Sequence, residues 1–234
     1  MLGTLILYGT TRTSTVWKPP ISLGNIVLSQ LDTLGLEGAG VPAVVVSFTR
    51  RLHLPVLRRL SIEHFRASSA QQVTFLKSVS ETLQELDLQT DGTQIEQESG
   101  WLNNDNDNVN ADGLLASVLA WSPQLRSLRI TNCSIGLSDV QSMNGHGSTC
   151  PRLALQLSRL VLPFGKVHGP NPTQVIQSLK EFVISRAAVE NVQNEEGFRP
   201  VLLEEFRLPG FYYPAIEPEL AREFAAILQL TTPL

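Results

Sequence analysis

The chain has 234 residues, 42% hydrophobic and 17% charged, with a formal net charge of −4. That composition supports a sizeable core and excludes global disorder, and the lack of a basic excess argues against general phosphate or nucleic-acid binding. Two cysteines, Cys133 and Cys150, are too few for a disulfide-stapled scaffold, and no stretch approaches the roughly 20 apolar residues of a membrane span. A protein of the cytoplasm or nucleus is expected, with no membrane or nucleic-acid partner.

The first element is Met1 to Tyr8, apolar but short, with no basic lead and a break at Gly9-Thr10-Thr11-Arg12. It reads as a strand rather than a signal peptide. Leu2, Leu5 and Leu7 within it form the phrase Leu-x-x-Leu-x-Leu, and with Ile or Phe sometimes substituted the phrase occurs eight times. The others are Leu31/Leu34/Leu36, Leu57/Leu60/Ile62, Leu83/Leu86/Leu88, Leu125/Leu128/Ile130, Leu157/Leu160/Leu162, Leu179/Phe182/Ile184 and Leu203/Phe206/Leu208. Successive starts lie 29, 26, 26, 42, 32, 22 and 24 residues apart. A period of that length predicts an α/β solenoid, a horseshoe with a parallel sheet on its concave side and irregular helices and turns on its convex side. Residues 1–234 then form one domain of about eight degenerate units.

Between strands the period changes. Pro42 to Leu54 carries Val45, Phe48 and Leu52 at spacings of three and four. Ala70 to Thr82 places Val73, Leu76 and Val79 at helical spacing, and Leu83-Gln-Glu-Leu86-Asp-Leu88-Gln89 then alternates at the period of a half-buried strand, with Leu83 turned inward ahead of it. Thr90 to Ala111 is polar, acidic and rich in Asn and Asp, so residues 90–111 are expected to leave the solenoid as a flexible loop; this accounts for the spacing of 42. Asp112 is a candidate N-cap for a helix through Leu115, Val118 and Leu119, which Trp121-Ser122-Pro123 ends. Ser138-Asp139 starts a short turn through Val140 and Met143. The units spaced 22 and 24 residues apart leave room for only a short helix or turn. Residues 217–230 read as a C-terminal capping helix with Leu220, Phe224, Ile227 and Leu228 on one stripe.

At the fifth unit the pattern becomes specific. Pro123-Gln-Leu125-Arg-Ser-Leu128-Arg-Ile130-Thr-Asn-Cys133 has the form P-x-L-x-x-L-x-L-x-x-C. It resembles the cysteine-containing, ribonuclease-inhibitor-like type of leucine-rich repeat, and is similar to the repeats of fungal F-box proteins. Pro151-Arg-Leu153 after Cys150 echoes the same lead-in. The ninth positions of the other units are Thr10, Ala39, Phe65, Asp91, Gly165, Ala187 and Phe211, which departs from an Asn or Cys ladder and implies an irregular solenoid. The resemblance implies a non-catalytic module that recognises a protein, as in the substrate-binding half of a ubiquitin-ligase receptor. A Skp-type adaptor and cullin would be reached through a segment not in this chain, since no F-box-like helices precede the first unit. A regulatory or structural scaffold unconnected to ubiquitin is the alternative.

The expected binding residues are those of the concave strand face: Glu37, Arg59, Glu63, Glu85, Asp87, Arg129, Arg159, Glu181 and Arg207, with Ser61, Gln89, Thr131, Val183 and Ser185 among their neighbours. In-register stacking places Asp32 beside Arg58, Arg59 beside Glu85, Asp87 beside Arg129 and Lys180 beside Glu204. Such pairs stabilise a sheet by about 0.2–1 kcal/mol each. Aromatic anchors are Tyr8, Trp101 and the run Phe211 to Tyr213. No hydrolase, phosphate-loop or zincin motif occurs, so no catalytic residue is expected. Cys133, His146, Cys150 and His168 lack zinc spacing, and Asp105 to Asn108 lacks the glycine and closing glutamate of a calcium loop, so neither metal nor cofactor is expected.

Overall fold

The computed structural model describes residues 3–8, 25–38, 51–65, 70–90, 114–131, 134–144, 156–162, 166–167, 172–187, 201 and 203–207. Seven strands form one sheet: β1 (Thr4–Tyr8), β3 (Thr33–Glu37), β5 (Arg59–Phe65), β6 (Glu85–Thr90), β7 (Ser127–Thr131), β9 (Arg159–Val161) and β11 (Glu205–Arg207), neighbours in that order. Every pairing is parallel. The chain therefore returns to the same end of the sheet before each new strand.

The leucine phrase sets the register. Leu5, Leu34, Leu60, Leu86, Leu128, Leu160 and Phe206 lie in one row, and Leu7, Leu36, Ile62, Leu88 and Ile130 in a second. A slip of one residue would turn all of these leucines to solvent, so burial of one face holds the register. Leu60, Leu86, Leu128 and Leu160 retain at most 2% of their exposure. The opening leucines Leu31, Leu57, Leu83, Leu125, Leu157 and Leu203 are buried just ahead of their strands. A backbone device repeats with it. The carbonyl of Asp32 accepts N–H bonds from both Arg58 and Arg59, that of Arg58 from Gln84 and Glu85, and that of Gln84 from Arg126 and Ser127. Arg126 and Ser158 carry the same forked bond onward to β9 and β11.

Two short parallel ladders pair successive units away from the main sheet: β2 (Ile26–Val27) with β4 (Leu52–His53), and β8 (Ser134–Ile135) with β10 (Lys166–Val167). Leu52, expected at helical spacing, thus lies in a strand, and residues 42–50 lie outside the described residues. Four helices are described: α1 (Ala70–Val79), α2 (Leu114–Trp121), α3 (Leu137–Asn144) and α4 (Pro172–Ala187). Phe75, Leu76 and Val79 of α1 join the strand leucines in one core cluster, as do Leu115, Val118 and Leu119 of α2. The helix expected before Trp121-Ser122-Pro123 ends at Trp121, and its candidate cap Asp112 lies outside the described residues.

Asp139 joins α2 to α3. Its carboxylate, 2% exposed, accepts the Ala116 N–H in the first turn of α2 at 3.1 Å and the Gly136 N–H at 2.9 Å. One side chain therefore satisfies N–H groups at the starts of two helices, where no backbone partner exists within the helix.

The seventh phrase departs from expectation. Leu179, Phe182 and Ile184 lie within α4, a helix of 16 residues, and β9 pairs directly with β11. Eight phrases therefore produce seven strands. The expected short turn between late units is replaced by the longest helix described. Val175, Ile176, Leu179, Phe182 and Val183 are all buried, while Ile184 is 44% exposed. Arg186, also buried, donates from Nη2 to the Leu157 carbonyl at 2.6 Å, and burial pulls its guanidinium down to about 10. This arginine ties the end of α4 to the turn that starts β9. The expected capping helix 217–230 and the loop residues 91–111 lie outside the described residues.

Candidate functional site

Alternation along each strand leaves one sheet face to solvent. Its first row runs Thr4, Thr33, Arg59, Glu85, Ser127, Arg159 and Glu205, and its second Ile6, Gly35, Ser61, Asp87, Arg129, Val161 and Arg207. A third, shorter row holds Tyr8 opposite Glu37, then Glu63 opposite Gln89, and Gln89 opposite Thr131. Seven of the expected binding residues therefore share one face: Glu37, Arg59, Glu63, Glu85, Asp87, Arg129 and Arg159; Arg207 is in register with Val161. Glu181 does not. It sits on α4, exposed, with Gln177 Nε2 donating to it at 3.4 Å. Val183 is buried in the same helix, and Lys180 is carried there too, so the expected Lys180–Glu204 pair is not formed by strand stacking.

Ion pairs sort the rest. Arg59 Nη2 lies 2.9 Å from Asp32 Oδ2, and Arg58 Nε 3.7 Å from Asp32 Oδ1. The expected Asp32–Arg58 contact is present, but Arg59 turns to Asp32 rather than to its register partner Glu85. The hydrogen bond from Arg59 holds the Asp32 carboxyl below the ordinary carboxylate range, with further help from Thr33 and Arg58. Arg159 Nε meets Glu205 Oε2 at 2.7 Å. Glu63 accepts the Gly38 N–H at 2.9 Å, and Gly38 adopts φ 90°, a left-handed turn that glycine enters without a Cβ clash.

Asp87 is the least well matched of these groups. Arg129 Nε is 3.9 Å from its Oδ1, beyond hydrogen-bonding distance. That oxygen is shielded from solvent and has no hydrogen-bond partner. Burial raises the Asp87 carboxyl above its ordinary value; Arg129 opposes the shift and Glu63 adds to it.

The face is thus electrically divided. Its first four strands carry Glu37, Glu63, Glu85 and Asp87, against Arg59, which is committed to Asp32. Its last three carry Arg129 and Arg159, with Arg207 at its register position, against Glu205. Beside this acidic region β1 contributes the expected aromatic anchor Tyr8, 71% exposed, and Ile6, 43% exposed, which was not anticipated as a site residue. Ile6 lies over Gly35, where an added Cβ would meet its side chain at 3.3 Å. The period of two in Thr4 to Tyr8 already places Ile6 and Tyr8 outward.

Among the described residues there is no group of three His, Cys, Asp or Glu side chains placed to hold a metal, and no helix long and apolar enough to cross a membrane. Cys133, His146, Cys150, His168, Trp101, Asp105 to Asn108 and Phe211 to Tyr213 lie outside the described residues. No protein-family model, curated protein or solved structure matches the chain.

Proposed function

We propose that the chain is a protein-recognition module whose solvent-facing sheet side is the concave face of a curved leucine-rich-repeat solenoid. The observation that carries this reading is the set of seven parallel strands in chain order, presenting in-register rows of polar side chains over a leucine floor. Repeated units of this kind make extended surfaces whose side chains are already ordered, so little conformational freedom is lost on binding. Charges spread over such a face favour charge-matched partners. The module is non-catalytic and works in the cytoplasm or nucleus.

The narrower form of the proposal is substrate recognition in an F-box-like ubiquitin-ligase receptor. It rests on the P-x-L-x-x-L-x-L-x-x-C phrase of Pro123 to Cys133. A regulatory or structural scaffold outside ubiquitin chemistry is the alternative. Affinity purification of the protein from cells separates the two: recovery of a Skp-type adaptor with a cullin supports the receptor, and partners without either favour the scaffold. The module itself is tested by cross-linking with variants. Glu85→Arg with Arg159→Glu should abolish capture of partners that Gln141→Glu, an exposed change on α3, leaves intact. Equal capture by both variants would overturn the face as the binding surface.

A further inference from the structure

We propose that the acidic half of the solvent-facing sheet docks a basic, extended protein segment: an arginine or lysine seats between Glu63 and Asp87, and a neighbouring apolar side chain rests on Ile6 and Tyr8. This inference rests on the recognition-face reading and adds to it the chemistry of the partner.

The argument is one of unequal compensation. Of the guanidinium groups on the described face, Arg59 is held by Asp32 at 2.9 Å and Arg159 by Glu205 at 2.7 Å. Arg129 stands 3.9 Å from Asp87 and leaves Oδ1 buried without a donor. The Glu37 and Glu85 carboxylates hold no hydrogen bond or ion pair among the described residues. The unmet demand is therefore for cationic donors, and it lies on β3, β5 and β6. An acidic partner on the later strands would compete with Glu205 for Arg159; a basic partner on the earlier ones meets the unpaired Glu37 and Glu85 carboxylates and shares Asp87 with a distant Arg129 and Glu63 with the Gly38 N–H. The exposed Tyr8 and Ile6 flank these carboxylates on β1. An aromatic ring with few rotatable bonds is a suitable anchor for an apolar side chain or the stem of a long cationic one. From β1 to β6 the sheet takes three inter-strand steps, about 15 Å, which an extended segment of about five residues covers.

The test uses the full chain and two fluorescein-labelled peptides read by fluorescence anisotropy, one of alternating Arg or Lys and Leu, the other with Glu in place of each basic residue. The basic peptide should bind, bind more weakly as salt rises, and lose about tenfold in affinity with Glu63→Gln and Asp87→Asn combined. Circular dichroism checks the fold of that variant. If it does not fold, Glu37→Gln with Tyr8→Ala serves instead and should also weaken binding. Equal or tighter binding of the acidic peptide, or full affinity in a folded variant, would overturn the proposal. Loss of partner capture by Glu85→Arg with Arg159→Glu, together with no affinity for the basic peptide, would overturn this polarity alone and leave the recognition face standing.

Discussion

The fourth and seventh leucine phrases obey the same rule on paper and fold differently. Leu83-x-x-Leu86-x-Leu88 ends in β6, while Leu179-x-x-Phe182-x-Ile184 is consumed by α4. The first three-residue step is common to strand lead-ins and helices, so it decides nothing. The residue between the last two apolar positions, Asp87 or Val183, does not decide by itself either, since Ile6 and Val161 hold the same place in β1 and β9. What differs is the apolar run ahead of the phrase. With Val175, Ile176 and Leu179 before it, Val183 continues a stripe of steps of one, three and four residues, which is the period of a helix. Pro172 opens α4 at a position where its missing N–H costs nothing, and no proline or glycine interrupts the run before Leu179. The fourth phrase is preceded by a helix that has already ended in a 3-10 turn, Ser80–Thr82.

Five substitutions at three places sharpen that contrast. The largest expected effect is at the central residue of the seventh phrase. Val183→Asp buries a charge at a fully covered helix position and should cost about 4 kcal/mol or more, whereas Ile184→Asp should stay within about 1 kcal/mol. Denaturant titrations showing the opposite order would put this phrase back in a strand. Next comes Leu86→Ala, a core cavity expected to cost about 2–5 kcal/mol, with Glu85→Ala beside it within about 1 kcal/mol. Thermal melts ranking these two the other way would reverse the faces of β6.

The smallest effect is at Asp87. Its carboxyl is raised above the ordinary 3.8, chiefly by burial. The fold therefore favours the protonated form: this contribution is fully present below 3.8 and is lost as pH rises through the raised value. At neutral pH the charge is a burden on the sheet. Asp87→Asn should match or exceed the parent chain at pH 7, by at most about 1 kcal/mol, and the gain should vanish on acidification. A stability loss at pH 7 would mean that the Arg129 contact outweighs burial.

The acidic and basic ends of the solvent-facing side illustrate how far residue order can be read. Alternation in each strand puts Glu37, Arg59, Glu85, Asp87, Arg129 and Arg159 outward, and the period aligns them. Their partners are another matter. Arg59 is in register with Glu85 yet bonds Asp32, because a long guanidinium stem reaches the preceding turn as easily as the neighbouring strand. Glu181 had the same apparent warrant as Glu85 and lost it when its phrase became helical.

For seven of the eight phrases the leucine spacing determined which residues line the floor of the sheet and which side chains share its open face, since a period of two between strict apolar positions admits one buried side, and the recurring repeat length determined that the strands are parallel. Only the folded arrangement decided that one phrase of eight is a helix, that Arg186 is drawn inside to hold the Leu157 carbonyl, and that Asp87 sits too deep for its charge. Those outcomes depend on solvent exclusion and on distances across the sheet, quantities that arise only once the units are stacked.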